Sequence, residues 1–122
     1  MIITKEYLEN NPTHIFVFGD NTYREGLGGA AKLRNHKQSY GFITKKYPDN
    51  FDYSFYKVKE YKNIYYRELV KLRSIINVNK NRIFLISKLG AGLANKYHIW
   101  EEIIKLRIKE DLKDFKNVKF LF

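Results

Sequence analysis

Two short apolar runs, His14-Ile15-Phe16-Val17-Phe18 and Arg82-Ile83-Phe84-Leu85-Ile86, each give way at once to a glycine-bearing segment. The first leads into Gly19-Asp20-Asn21 and then Gly26-Leu27-Gly28-Gly29-Ala30-Ala31, with Gly41 a little further on. The second leads into Ser87-Lys88-Leu89-Gly90-Ala91-Gly92-Leu93-Ala94. These positions hold all seven glycines of the chain, and none falls between Phe42 and Leu89. Glycine adds backbone freedom and close approach at an entropic cost, so its confinement to two segments points to a job done there. Near-continuous apolar runs suit strands buried on both faces, and strands alternating with helices pair in parallel. Glycine-rich turns at the carboxyl ends of such strands are where α/β proteins hold phosphates and nucleotides.

The rest of the chain supplies the helices. A short helix is expected near Thr4 to Glu9, with Thr4 as its cap. Another is expected from Gly28-Gly29 through Arg34, and Gly41-Phe42-Ile43-Thr44 reads as a short strand. Ile64, Tyr65, Leu69, Leu72, Ile75 and Ile76 recur at helical spacing and predict an amphipathic helix over about 60–77. Ile99, Trp100, Ile103, Ile104, Leu106 and Ile108 mark a further helix, and Val118 to Phe122 a final strand. The segment Phe51 to Tyr56 is aromatic and fits either a loop or extended structure. The expectation is a single domain over 1–122: an α/β fold, a compact three-layer α/β/α sandwich with a mostly parallel sheet. Both glycine loops then lie at the carboxyl edge of that sheet.

Composition removes several function classes. With no cysteine, neither a disulfide framework nor a thiolate metal site is available. His14, His36 and His98 are scattered, so no metal site is expected. No signal peptide or membrane span is visible, and the chain reads as cytoplasmic, or host-cytoplasmic if viral. The formal net charge of +10 favours polyanions such as nucleic acid. It has a second explanation in AT-rich codon usage, since the chain is rich in Lys, Asn, Ile, Tyr and Phe and its basic residues are spread out.

The loops carry the candidate chemistry. Amides clustered at Gly28, Gly29 and Ala30 can bind an anion at a helix start. Asn21 can bond a ribose hydroxyl, Asp20 can accept from a ribose or amino group, and Arg24 and Arg34 flank the loop within reach of phosphates. Loop one alone matches neither the Walker pattern nor GxGxxG, and a simple turn and helix start would also explain it. The second loop, Gly90-Ala91-Gly92-Leu93, repeats the same logic. Thr44 and Lys88 beside the loops complete the candidate ligand-binding set.

The strings FGDNTYREGLGGAAKLRN, GFITKK and ISKLGAGLANKYHIWEEI together resemble the macro domain, nearest the terminal ADP-ribose protein glycohydrolase subgroup and small phage-type relatives. The resemblance implies ADP-ribose or a related nucleotide bound across the sheet edge, without a cofactor. It assigns Asn21 to the distal ribose, Gly28, Gly29 and Ala30 to one side of the pyrophosphate, and Gly90, Ala91, Gly92 and Leu93 to the other. Lys45 falls where that subgroup has a lysine attacking the anomeric carbon, a role that desolvation of its amine would favour. An ordinary surface lysine is the competing reading. The subgroup's aspartate after the second loop is replaced by Ala94, with Asp20 or Asp49 as the only substitutes in view. The N-terminal strand pair that helps to read adenine has no counterpart in the resemblance. Tyr53, Phe55 and Tyr56 can form a stacking lid or pack as core, while Trp100 reads as core and His98 as surface.

Three functions follow from these expectations. The first is a reader or sequestering module for ADP-ribose or a related nucleotide, including the ADP-ribosyl group on protein or nucleic acid. The second is an ADP-ribosyl hydrolase using Lys45. The third is a basic nucleic-acid-binding protein.

Overall fold

The computed structural model describes residues 2–122. Four strands, β1 His14–Asn21, β2 Ser39–Lys45, β3 Ile83–Ile86 and β4 Val118–Phe120, form one sheet in the order β2-β1-β3-β4. All three pairings are parallel. Three α-helices accompany them: α1 Lys5–Asn10, α2 Val58–Val78 and α3 Lys105–Asp111, the last preceded by a π turn over Trp100–Ile104.

Alternation along the central strands separates the two faces of the sheet. Val17, Phe84 and Ile86 point into the larger core with Tyr61, Tyr65, Leu72 and Ile76 of α2 and Ile103, Ile104 and Ile108 of the last helical segment. Leu85 points the other way, into a smaller cluster with Ile3 and Leu8, against which Phe16 and Leu33 pack. The fold is therefore α/β in three layers, with α2, the π turn and α3 on one face and α1 and a short 3-10 turn on the other.

β2 is an edge strand, and α2 closes its outer side. The Ile43 N–H donates to Glu68 Oε1 at 2.7 Å, and the Tyr61 hydroxyl donates to the Ile43 carbonyl at 2.5 Å. Both side chains are buried. Satisfying these groups internally removes a template for pairing with another chain.

The helix over 60–77 and the cap at Thr4 match expectation: the Tyr7 N–H donates to Thr4 Oγ1 at 3.0 Å. Two expectations are corrected. Gly19-Asp20-Asn21 is strand rather than loop, because β1 continues to pair with β2 as far as Asn21, with a bulge between Asp20 and Asn21. The helix expected from Gly28 to Arg34 is only a 3-10 turn over Gly29–Leu33. A parallel crossover must travel back along the strand, and 3-10 geometry rises about 2.0 Å per residue against about 1.5 Å for an α-helix, which gives this short segment more reach. No helix among the described residues is long and apolar enough to cross a membrane.

Candidate functional site

The carboxyl ends of β1, β2 and β3 converge on a cleft of about 540 Å³. Both glycine loops line it, from Gly26 to Ala31 on one side and from Gly90 to Ala94 on the other, with Asn21, Thr44, Lys45 and Lys88 between them. Strand order explains the meeting. β1 and β3 are adjacent, so the segments that leave their carboxyl ends emerge side by side.

Loop one is held from below by a buried ion cluster. Asp20 is 4% exposed and accepts from Arg34 Nη1 at 2.5 Å and Arg24 Nη1 at 3.0 Å. Arg34 also donates to the Gly26 carbonyl at 2.8 Å and the Glu25 carbonyl at 2.9 Å, and its guanidinium lies 5.5 Å from the Phe18 ring centroid. Arg24 donates to the Gly41 carbonyl at 2.9 Å and lines a shallow groove outside the cleft. Asp20 and the two arginines thus order the loop's frame, and Asp20 and Arg34, offered by the sequence as ribose and phosphate contacts, also line the cleft. A buried carboxylate with two guanidinium partners has its lone pairs committed.

Asn21 is likewise engaged. Its Nδ2 donates to the Glu25 carbonyl at 2.8 Å, and its Oδ1 accepts the Tyr23 N–H at 3.0 Å, an Asx turn that folds the chain into loop one. The backbone is what loop one leaves open. The amides of Gly28, Gly29 and Ala30 have no acceptor among the described residues, whereas the Ala31 N–H closes the turn onto the Gly28 carbonyl at 3.1 Å. Their capacity to hold an anion comes from these free donors, since a five-residue 3-10 turn builds little of an α-helix dipole.

Loop two is the better anchored. Gly90 is buried with φ +77, and a Cβ there would meet Ile104 Cδ1 at 3.0 Å and Ile99 Cδ1 at 3.3 Å. Only glycine combines that backbone with that closeness. The loop beyond it presents the amides of Gly92, Leu93 and Ala94 without an acceptor among the described residues. Asn95 ends the loop, its Oδ1 capping the π turn through the Trp100 N–H at 3.1 Å. Ala91 sits in this loop behind the lining residues, while Leu93 is largely exposed at the rim.

Lys45 is 8% exposed at the end of β2. Its ammonium donates to Asn50 Oδ1 at 3.0 Å and lies 5.0 Å from the Phe55 ring centroid. Burial pushes its pKa below the ordinary lysine value, and the charge of Asp49 partly opposes the shift. The reading of Lys45 as an ordinary exposed lysine is therefore corrected. Asp49 itself accepts from the Phe51 N–H at 3.0 Å and from the Ser54 hydroxyl, which ties it to its own loop. Ala94 is buried and lines the cleft, so no carboxylate stands at that position. Lys88 reaches the cleft with its ammonium 5.5 Å from the Trp100 ring centroid.

Some participants lay beyond the sequence reading. Asn50 and Pro48 join the cleft because the 46–54 segment folds back, through an antiparallel bridge between Lys45 and Phe55. No periodicity announces that return. Of the aromatic residues offered as a lid, Phe55 and Tyr56 are core and Tyr53 is exposed. Trp100 is core and His98 is exposed, as expected.

No curated protein and no solved structure matches the chain. A family model matches residues 1–96, a span that includes both glycine loops and every residue lining the cleft. The chain belongs to that family, a family of unknown function (DUF7831).

Proposed function

We propose that this protein binds ADP-ribose or a closely related nucleotide in the cleft between the two glycine loops, as a reader or sequestering module. The observation that carries the reading is the pairing of free amides. Gly28, Gly29 and Ala30 face the same cleft as Gly92 and its neighbours, and Lys45 and Lys88 add positive charge. Two opposed rows of donors suit a pyrophosphate better than a single phosphate. The macro-domain resemblance in the same loops supports the choice of ADP-ribose, and a volume of about 540 Å³ lies within the ordinary range for a ligand of that size. Because Asn21 is held in a turn, its ribose contact would come from whichever lone pair or proton the turn leaves unused.

An ADP-ribosyl hydrolase is the second reading, and the desolvated Lys45 amine favours it. A neutral amine is the nucleophilic form, and burial raises its share at a given pH. With alanine at position 94, and the nearby Asp49 tied to Phe51 and Ser54 of its own loop, no free carboxylate among the described residues stands beside Lys45 to resolve an adduct, which ranks binding first. Action on DNA or RNA rests on the net charge of +10 alone. A cytoplasmic location, or host cytoplasm for a viral protein, belongs to the same proposal.

Calorimetric titration with ADP-ribose, with AMP as comparator, tests the binding reading. Micromolar affinity corresponds to about 8 kcal/mol and is the expected result, with AMP much weaker because it lacks the pyrophosphate. Equal binding of the two, or none, would remove the proposal. For the second reading, release of free ADP-ribose from a modified target should vanish in Lys45→Ala; release that persists excludes Lys45 as nucleophile.

A further inference from the structure

Beyond Lys45 the cleft runs onto a ledge of aromatic rings. Tyr23, Phe51 and Tyr53 are 59%, 63% and 59% exposed, which is unusual for three large side chains in adjoining loops. They are not scattered. Tyr47 sits behind them, 5.2 Å from Tyr23 and 5.8 Å from Tyr53 between ring centroids, and Phe51 stacks on Tyr53 at 5.6 Å. The concavity along Tyr23, Tyr47 and Tyr53 has a volume of about 660 Å³ and shares Glu25 and Pro48 with the glycine cleft. The two spaces therefore meet at one end.

The charges around the ledge point to the kind of group it takes. Lys46 borders it but is neutralised by Glu60 at 2.8 Å, and Asp49 is committed to Phe51 and Ser54. Glu25 is different. Its carboxylate has no ion pair or hydrogen bond among the described residues, while its carbonyl is fixed by Asn21 and Arg34. A free carboxylate beside tyrosine faces is repulsive to a phosphate and attractive to a cation, and aromatic faces attract cations too.

We infer that this ledge binds a cationic planar ring carried at the Lys45 end of the cleft's ligand, which makes the preferred ligand a dinucleotide bearing a pyridinium group. The inference rests on the nucleotide reading of the cleft. The phosphates lie between the glycine loops, the sugar beside Lys45, and the ring passes over Pro48 to stack on Tyr53 and Tyr47 with Glu25 facing its charge. No bond is made or broken.

Three ligands separate the contributions: NAD+, with a pyridinium ring, NADH, whose nicotinamide ring has nearly the same size but no charge, and ADP-ribose, which lacks the nicotinamide ring. Titrated calorimetrically, NAD+ should bind about tenfold more tightly than ADP-ribose, with NADH between them. Tyr53→Ala, at an exposed position, should remove the gain over ADP-ribose and leave ADP-ribose binding unchanged. Glu25→Gln should narrow the gap between NAD+ and NADH, the remainder coming from the tyrosine faces, and an unchanged gap overturns the role of Glu25. ADP-ribose binding as tightly as NAD+ overturns the inference and leaves the cleft reading standing, as does a Tyr53→Ala loss common to all three ligands. If none of the three binds, both fall. If the oligonucleotide (dT)8 binds in a Tyr53-dependent way while NAD+ shows no gain, the ledge belongs to single-stranded nucleic acid and the inference is overturned.

Discussion

Lys45 and Asp20 illustrate how position decides the chemistry of a charged residue. Both lie near the carboxyl ends of paired strands, yet one carries a desolvated amine into the cleft and the other spends its charge on two arginines. The Lys45 amine, with its pKa lowered by burial, should react with a small acylating reagent at a lower pH than the surface lysines. Mass spectrometry of the modified sites across a pH series checks this, and a Lys45 midpoint at or above the surface set contradicts it. The sign for stability follows. Below its folded pKa, Lys45 is charged in both states and burial penalises the folded one. That penalty is relieved as pH rises through the folded and then the unfolded value. Gly41 is the companion case: a Cβ there would lie 2.2 Å from Asp20 Oδ2 and 2.8 Å from Arg24 Nη1. Gly41→Ala must displace a buried ion cluster and should destabilise the protein by about 1–3 kcal/mol in a denaturant titration. A neutral result would mean that the cluster is loose.

At the scale of elements, each loop and helix has a separable role. Loop two contains a structural glycine and an open one. Gly90 packs against Ile99 and Ile104, whereas a Cβ on Gly92 would meet nothing within 4 Å and would project into open space in the loop. Gly92→Val should therefore leave the melting temperature near that of the parent while weakening ADP-ribose at least tenfold. A parental affinity would show that the ligand does not approach this loop. On the opposite flank, Glu68 of α2 accepts the buried Ile43 N–H of the edge strand. Its replacement by alanine strands that donor, so unfolding should become easier by about 2–3 kcal/mol. Arg73 joins α2 to the turn after α3 through a two-pronged contact with Asp114, at 2.8 and 2.7 Å. This pairing holds the Asp114 pKa down at about 2. The contact stabilises the fold above the unfolded carboxylate value and is lost as pH falls towards about 2. Asp114→Asn should lower the neutral plateau of a stability–pH curve and flatten its acid limb, so that variant and parent converge near pH 2.

Across the whole molecule, what could be read from sequence follows from periodicity. The runs at 14–18 and 82–86, and the spacing of Tyr65, Leu69, Leu72 and Ile76, report burial directly. They were sufficient for an α/β sandwich with both glycine segments at one sheet edge. Periodicity has nothing to say about short irregular segments. The 3-10 turn at Gly29–Leu33 is set by the distance the crossover must cover, and the return of Pro48 and Asn50 to the cleft is set by the bridge to Phe55. Asp20, Arg24 and Arg34 look alike in sequence whether they meet a ligand or one another. Only their mutual packing shows that they brace the loop, with Asp20 and Arg34 also lining the cleft and Arg24 outside it.

The central claim is that two loops from adjacent strands form one ligand cleft, and backbone amides report on it directly. We would label the protein with 15N and titrate ADP-ribose while following the amide resonances. The account predicts that Gly28, Gly29 and Ala30 shift saturably together with Gly92, Leu93 and Ala94, with a single dissociation constant. Shifts confined to one loop, or spread over the basic surface without saturation, would contradict it.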